Sequence, residues 1–134
     1  MRRVALCRLV QVRSAVVPMA VSIQELQESI RKFRDERDWL QFHNHKDMAT
    51  ALAIEAAELQ ELFLWKHGSE VEEVASTKRE RLSEELADVA VYLLELADNL
   101  GIDLGEAVAA KLEKNAAKYP VHKAKGSNAK YTEL

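Results

Sequence analysis

The sequence is short of the residues that mark β-rich, disulfide-stapled or membrane-spanning proteins. Among 134 residues there are four glycines, two prolines and a single cysteine, Cys7. Scarce turn-formers favour long helices over a turn-rich β architecture. One cysteine forms no intrachain disulfide and no multi-cysteine zinc site, and it fits a reducing, cytoplasmic setting. No apolar run approaches the ~20 residues needed to span a bilayer. There is no excess of positive charge either: 19 Lys and Arg against 22 Asp and Glu leave a net charge of −3. Nucleic-acid polymers and acidic membranes are therefore not expected partners. No internal repeat, low-complexity tract or useful β alternation occurs.

What is present is a globular balance, 48% apolar and 31% charged, in a length that suits one domain with a modest core. Residues 1–18 stand apart, with Arg2, Arg3, Arg8 and Arg13 and no acid before Glu25. Arg8 and Arg13 interrupt any secretory apolar run. The arginine bias is compatible with a transit peptide, but the plainer reading is a basic, disordered leader or an upstream start. Met19-Ala20 then opens a helical domain over 19–120. A flexible basic tail is expected over 121–134, where Lys123, Lys125 and Lys130 are either solvated or form a flap over phosphates.

Four helices are expected. Ser22-Ile-Gln-Glu25 is a capping box that starts the first, ending near Arg37. Residues 38–46 read as an irregular turn, and a second helix runs from about Asp47 to Lys66. Gly68 opens a polar connection, and Thr77-Lys-Arg-Glu80 reads as a second capping box. The third helix then ends at Asn99 or Leu100, with Gly101 as its stop. Asp103-Leu-Gly-Glu106 caps a fourth that reaches Lys118, ahead of Tyr119-Pro120. The expected fold is an all-α four-helix bundle.

Two acidic motifs carry the chemistry, Glu55-Ala-Ala-Glu58 and Glu85-Leu-Ala-Asp88. Residues three apart share one side of a helix, so each motif aims two carboxylates the same way. Acids at this spacing are ordinarily solvated surface groups, and their place beside the apolar seams changes that reading. Leu52, Ala56, Leu59 and Phe63 form one seam; Leu82, Leu86, Val89, Leu93, Leu96 and Leu100 form the other. Glu55 follows Leu52 by three residues and Glu85 follows Leu82 by three, about 60° around the helix in each case. Folded as an antiparallel hairpin, the two helices bring like shoulders together. Glu58 with Glu85, and Glu55 with Asp88, are each centred on the middle of the connection.

Four such carboxylates need protons or a cation: one like-charge pair about 4 Å apart costs roughly 4 kcal/mol at an effective dielectric near 20. An all-oxygen set suits magnesium or manganese rather than zinc or copper. A di-iron site would want Glu-x-x-His repeats, and the chain has none. Tyr92, four residues after Asp88, and Trp65, two turns after Glu58, offer aromatic faces to a base or pack in a core or interface. His43 offers a hydrogen bond to a base or phosphate, or is an ordinary loop histidine. Lys111, Asn115 and Lys118 share a face of the last helix, where they neutralise triphosphate oxygens or are simply solvated. A wide apolar seam in so short a chain predicts a homodimer or homotetramer, its sites walled partly by a neighbouring subunit.

The sequence resembles the all-α NTP pyrophosphohydrolases of the MazG-type superfamily, most closely their dCTP pyrophosphatase-like branch. The likeness covers about 22–120. It rests on the two acidic motifs, on Arg37-Asp38-Trp39 leading into Gln41-Phe42-His43, on Glu61-Leu62-Phe63-Leu64-Trp65 and on Lys118-Tyr119-Pro120. The resemblance implies magnesium-dependent hydrolysis of a nucleoside triphosphate to its monophosphate and pyrophosphate. The expected substrate is dCTP or a modified pyrimidine analogue. Glu55, Glu58, Glu85 and Asp88 would hold the metal, with Glu55 or Glu58 activating water. Trp39, Gln41, Phe42, His43, Trp65 and Tyr92 would line the base and sugar pocket. Two alternatives stay open: another nucleotide substrate (dUTP or a phosphoribosyl-nucleotide), and a non-enzymatic helical assembly that binds metal structurally.

Overall fold

The computed structural model describes residues 21–133, all of them helical or irregular. The expected leader and Met19-Ala20 lie outside the described residues. Six α-helices are present: α1 (Ile23–Asp35), α2 (His45–Glu61), α3 (Ser69–Thr77), α4 (Arg79–Asn99), α5 (Leu104–Lys118) and α6 (Val121–Ala124). A 3-10 turn at Trp39–Phe42 joins α1 to α2.

The helix ends follow local chemistry. Ser22 Oγ accepts from the Glu25 amide, and the Glu25 carboxylate accepts from the Ser22 amide, closing the capping box. Asp103 accepts from the Glu106 amide at 2.9 Å and starts α5. At the end of α4 the Gly101 amide donates to Asp98 O and the Ile102 amide to Ala97 O, a complete Schellman stop. Gly101 sits at φ +65°, where a Cβ is strained even though nothing lies within 4 Å of it. Gly101→Ala is expected to lower stability by about 1 kcal/mol, read as a fall in the urea midpoint at unchanged slope.

Three boundaries differ from the sequence expectation. Asn44, not Asp47, caps α2, accepting from the Asp47 amide at 3.0 Å. Helix α2 ends at Glu61 rather than Lys66, because the chain turns at 62–65 and Trp65 takes a left-handed backbone, φ 61°. The expected polar connection is itself helical, α3. Thr77 closes that helix, its hydroxyl donating to Glu73 O, so no second capping box forms and Lys78 leads into α4 without a side-chain cap.

Helix α4 is the central element. It packs extensively on α2 and also on α1 and α3. His43 meets Glu95 while Glu58 meets Arg81, so α2 and α4 run antiparallel. Helix α1 runs in the same direction as α4: Gln27 donates to Leu94 O, and Arg31 grips Asp98 through two hydrogen bonds of 2.8 and 3.0 Å. Gripped from several sides, α4 buries Leu94 and Ala97 together with charged Glu85 and Glu95. The apolar seam expected along it is not all internal. Leu86, Leu93 and Leu100, spaced by sevens, are left exposed in the single chain, as is Ala56 on α2.

Among the described residues α5 has no extensive contact with any other element, so they do not complete a four-helix bundle. Val108 and Leu112 on its apolar face are 50% and 62% exposed. The C-terminal stretch is more than coil: α6 forms, Tyr131 packs edge-on against Tyr119, and the Lys118 ammonium lies 4.9 Å from the Tyr131 ring. No helix among the described residues is long and apolar enough to cross a membrane.

Candidate functional site

The α2–α4 pairing brings three of the four expected carboxylates together. Glu55, Glu58 and Glu85 offer ligand oxygens that all lie within 4.8 Å of one another. Asp88 falls outside that group and lines the same cleft, one turn further along α4. The cleft has a volume of about 470 Å³ and is walled by Glu58, Arg81, Glu84, Glu85, Ala87 and Asp88. Burial, then the charges of Glu58, Asp88 and Glu85, hold the Glu55 carboxyl above its ordinary value of 4.5. Each cause penalises one more negative charge.

Arg81 answers the same field. Its guanidinium lies 2.7 Å from Glu85 and 4.0 Å from Glu58, reaching across from a largely exposed position. A cluster that draws a guanidinium against buried Glu85 fits a divalent cation. Its donors are all carboxylate oxygens, the hard set that magnesium and manganese take.

Beside the cleft lies a second cavity of about 160 Å³, lined by Phe33, Arg34, Trp39, His43, Tyr92 and Glu95 among others. Asp88 borders both spaces, joining the acidic end to the aromatic end. Phe33 and Trp39 meet edge to face at 5.8 Å, and the Arg37 guanidinium stacks 3.6 Å over Phe33. Burial, and then the charges of Glu55, Asp88 and Glu95, push the Tyr92 hydroxyl up from its ordinary value of 10.0. Tyr92 therefore offers a neutral ring beside the carboxylates.

Three of the residues expected around a base meet in this cavity, Trp39, His43 and Tyr92. Gln41 is spent locally, its amide donating to the Asp38 carboxylate and carbonyl. Phe42 is 63% exposed and Trp65, on its left-handed turn, 82% exposed; neither lines the cleft or the cavity. Lys111, Asn115 and Lys118 sit on α5 and line neither. Four contributors escaped the sequence reading: Phe33, Arg34, Arg81 and Glu95. For Glu95 a signal existed, since Asp88, Tyr92 and Glu95 fall at i, i+4 and i+7 on one face of α4.

Fold and site together define a class: all-α proteins that present a carboxylate cluster between two antiparallel helices, next to an aromatic pocket. The MazG-like family model matches residues 50–134. The dCTP pyrophosphatase 1 of Bos taurus is 42% identical over 127 residues, spanning 90% of this chain and 75% of that protein. The Homo sapiens protein of the same name is 42% identical over 115 residues, 84% of this chain and 68% of its own. A solved pyrophosphatase from Archaeoglobus fulgidus superposes with a TM-score of 0.70 at 45% identity, over 73% of this chain and 92% of its own. The chain belongs to the MazG-like family.

Proposed function

We propose that this protein is a divalent-cation-dependent pyrophosphohydrolase that converts dCTP, or a modified pyrimidine analogue, to its monophosphate and pyrophosphate. The observation that carries this reading is the convergence of Glu55, Glu58 and Glu85 at a cleft, lined by the latter two, that shares Asp88 with an aromatic cavity. The relatives named dCTP pyrophosphatase 1 support the substrate.

Glu55, Glu58 and Glu85, with Asp88 one turn away, would hold magnesium or manganese. When bound, the ion neutralises phosphate oxygens and polarises the α-phosphorus. The protein's own task is then to take a proton from the attacking water. A new P–O bond forms at the α-phosphorus, the bond to the α–β bridging oxygen breaks, and pyrophosphate leaves. Glu55 or Glu58 accepts the proton. Trp39 and Tyr92 sandwich or flank the base, a contact worth about 1–3 kcal/mol in nucleic-acid cases. The functional unit is a homodimer or homotetramer, in which α5 of a neighbour brings Lys111, Asn115 and Lys118 toward the triphosphate.

The test is turnover of a panel of triphosphates with magnesium by wild type and Glu58→Ala. The expected result is dCTP hydrolysis by wild type and a loss of at least ~100-fold in the variant, with its fold intact by circular dichroism. A fall in the melting temperature of Glu58→Ala, with no turnover by either protein, would mark a structural metal site instead.

A further inference from the structure

In the wall of the aromatic cavity lies a buried charge pair that the proposed chemistry does not use. Arg34 is 5% exposed and Glu95 is 4% exposed. Glu95 Oε1 receives two neighbours, His43 Nδ1 at 2.7 Å and Arg34 Nη1 at 3.6 Å. Arg34 Nη1 also donates to Asn99 Oδ1 at 2.9 Å, and its other donors reach Asp35. The arginine is thus fixed at both ends, and the carboxylate is fixed against the histidine.

We infer that the buried Arg34–Glu95 pair sets the tautomer of His43, and that His43 thereby selects bases carrying an amino group, cytosine over uracil or thymine. A carboxylate only accepts hydrogen bonds, so the proton in the 2.7 Å contact sits on Nδ1. In the neutral ring Nε2 then keeps its lone pair. Nε2 has no partner among the described residues and is not sealed from solvent. His43 lines the cavity together with Trp39 and Tyr92. An acceptor there pairs with the exocyclic amino group of cytosine. Against the carbonyl of uracil or thymine at the same ring position, two lone pairs meet and the contact is lost. A site built around one polar contact rejects the analogue that leaves it unpaired. Arg34 and Glu95 share the cavity wall with His43, and the part assigned to them is to position its ring.

The inference rests on the base occupying this cavity, as proposed above. Its test is Glu95→Met, which keeps the side-chain length and removes the acceptor. His43 Nδ1 and Arg34 both meet the Oε1 atom of Glu95, so a glutamine would still accept from the ring, whereas methionine does not. Nothing then holds the ring proton on Nδ1, while Arg34 keeps Asn99 and Asp35. The ratio of kcat/KM for dCTP over dUTP is expected to fall at least about tenfold, the scale of one misplaced buried hydrogen bond. Nitrogen-15 NMR, with His43→Asn for assignment, is expected to show the ring proton on Nδ1 in wild type and that preference lost in Glu95→Met. Calorimetric binding of dCMP against dUMP reads the same preference without turnover, so an inactive wild type would sink the proposed activity while this comparison still decides the inference. Should Glu95→Met fail to fold, His43→Asn is expected to erase the cytosine preference on its own. An unchanged cytosine-to-uracil ratio in the folded variants, or a wild-type ring protonated at Nε2, would overturn the inference.

Discussion

A Glu55→Gln protein is expected to lose at least ~100-fold in turnover yet melt a few degrees higher than wild type when no metal is present. The two effects have one cause. Glu55 is held above its ordinary value by burial and by Glu58, Asp88 and Glu85, so its ionised form strains the metal-free fold. An acid whose native value is raised binds its proton more tightly folded than unfolded. Its favourable contribution is fully present below the unfolded value and is lost as pH rises through the native one. The glutamine escapes that loss. The melting advantage of Glu55→Gln is thus expected to be absent near pH 4 and to grow toward pH 7. Saturating magnesium reverses the order, because wild type gains binding energy that the variant gives up. Scanning calorimetry across pH, with and without magnesium, measures all of this. A variant less stable than wild type at neutral pH without metal would mean that the acids are not crowded.

The second large effect concerns α5. A helix of 15 residues is marginal in water on its own, and this one lies against nothing extensive in its own chain. Its Val108 and Leu112 are a turn apart and both at least half exposed, while Leu86, Leu93 and Leu100 line an uncovered strip of α4. Apolar faces of this extent are normally covered by another subunit. Leu112→Asp places a charge in that contact. Light scattering is expected to show wild type as a dimer or tetramer and the variant as a monomer at micromolar concentration. Activity is expected to fall at least about tenfold with it, because Lys111, Asn115 and Lys118 ride on the same helix and line no cleft of their own chain. An assembly and activity left untouched by the charge would remove α5 from the interface.

Local chemistry made much of this molecule readable. The capping box at Ser22, the N-cap at Asp103 and the glycine stop at Gly101 depend on residues within five positions of each other, and the structure forms all three. Glu55, Glu58 and Glu85 were legible because helical spacing and antiparallel register act together. What escaped depends on tertiary context. Helix α3 offers only Val71 and Val74 as apolar markers, too few to show periodicity, and it is packing against α4 that holds it. Arg34 and Glu95 are 61 positions apart, and nothing local announces that pair. The expected seam on α4 is only partly internal, because α1 and α2 both pack on this helix and leave Leu86, Leu93 and Leu100 uncovered. Trp65 kept its expected spacing from Glu58 only on paper, since α2 had already ended and the turn carries the ring outward.

In the proposed reaction, paired acids on α2 and α4 direct water to the α-phosphorus of a pyrimidine nucleotide. Phosphorus-31 NMR of dCTP, magnesium and the protein tests it most directly. Equal amounts of dCMP and pyrophosphate are expected from wild type, and neither from Glu85→Gln. Release of orthophosphate with dCDP, or the same pyrophosphate yield from the variant, would contradict it.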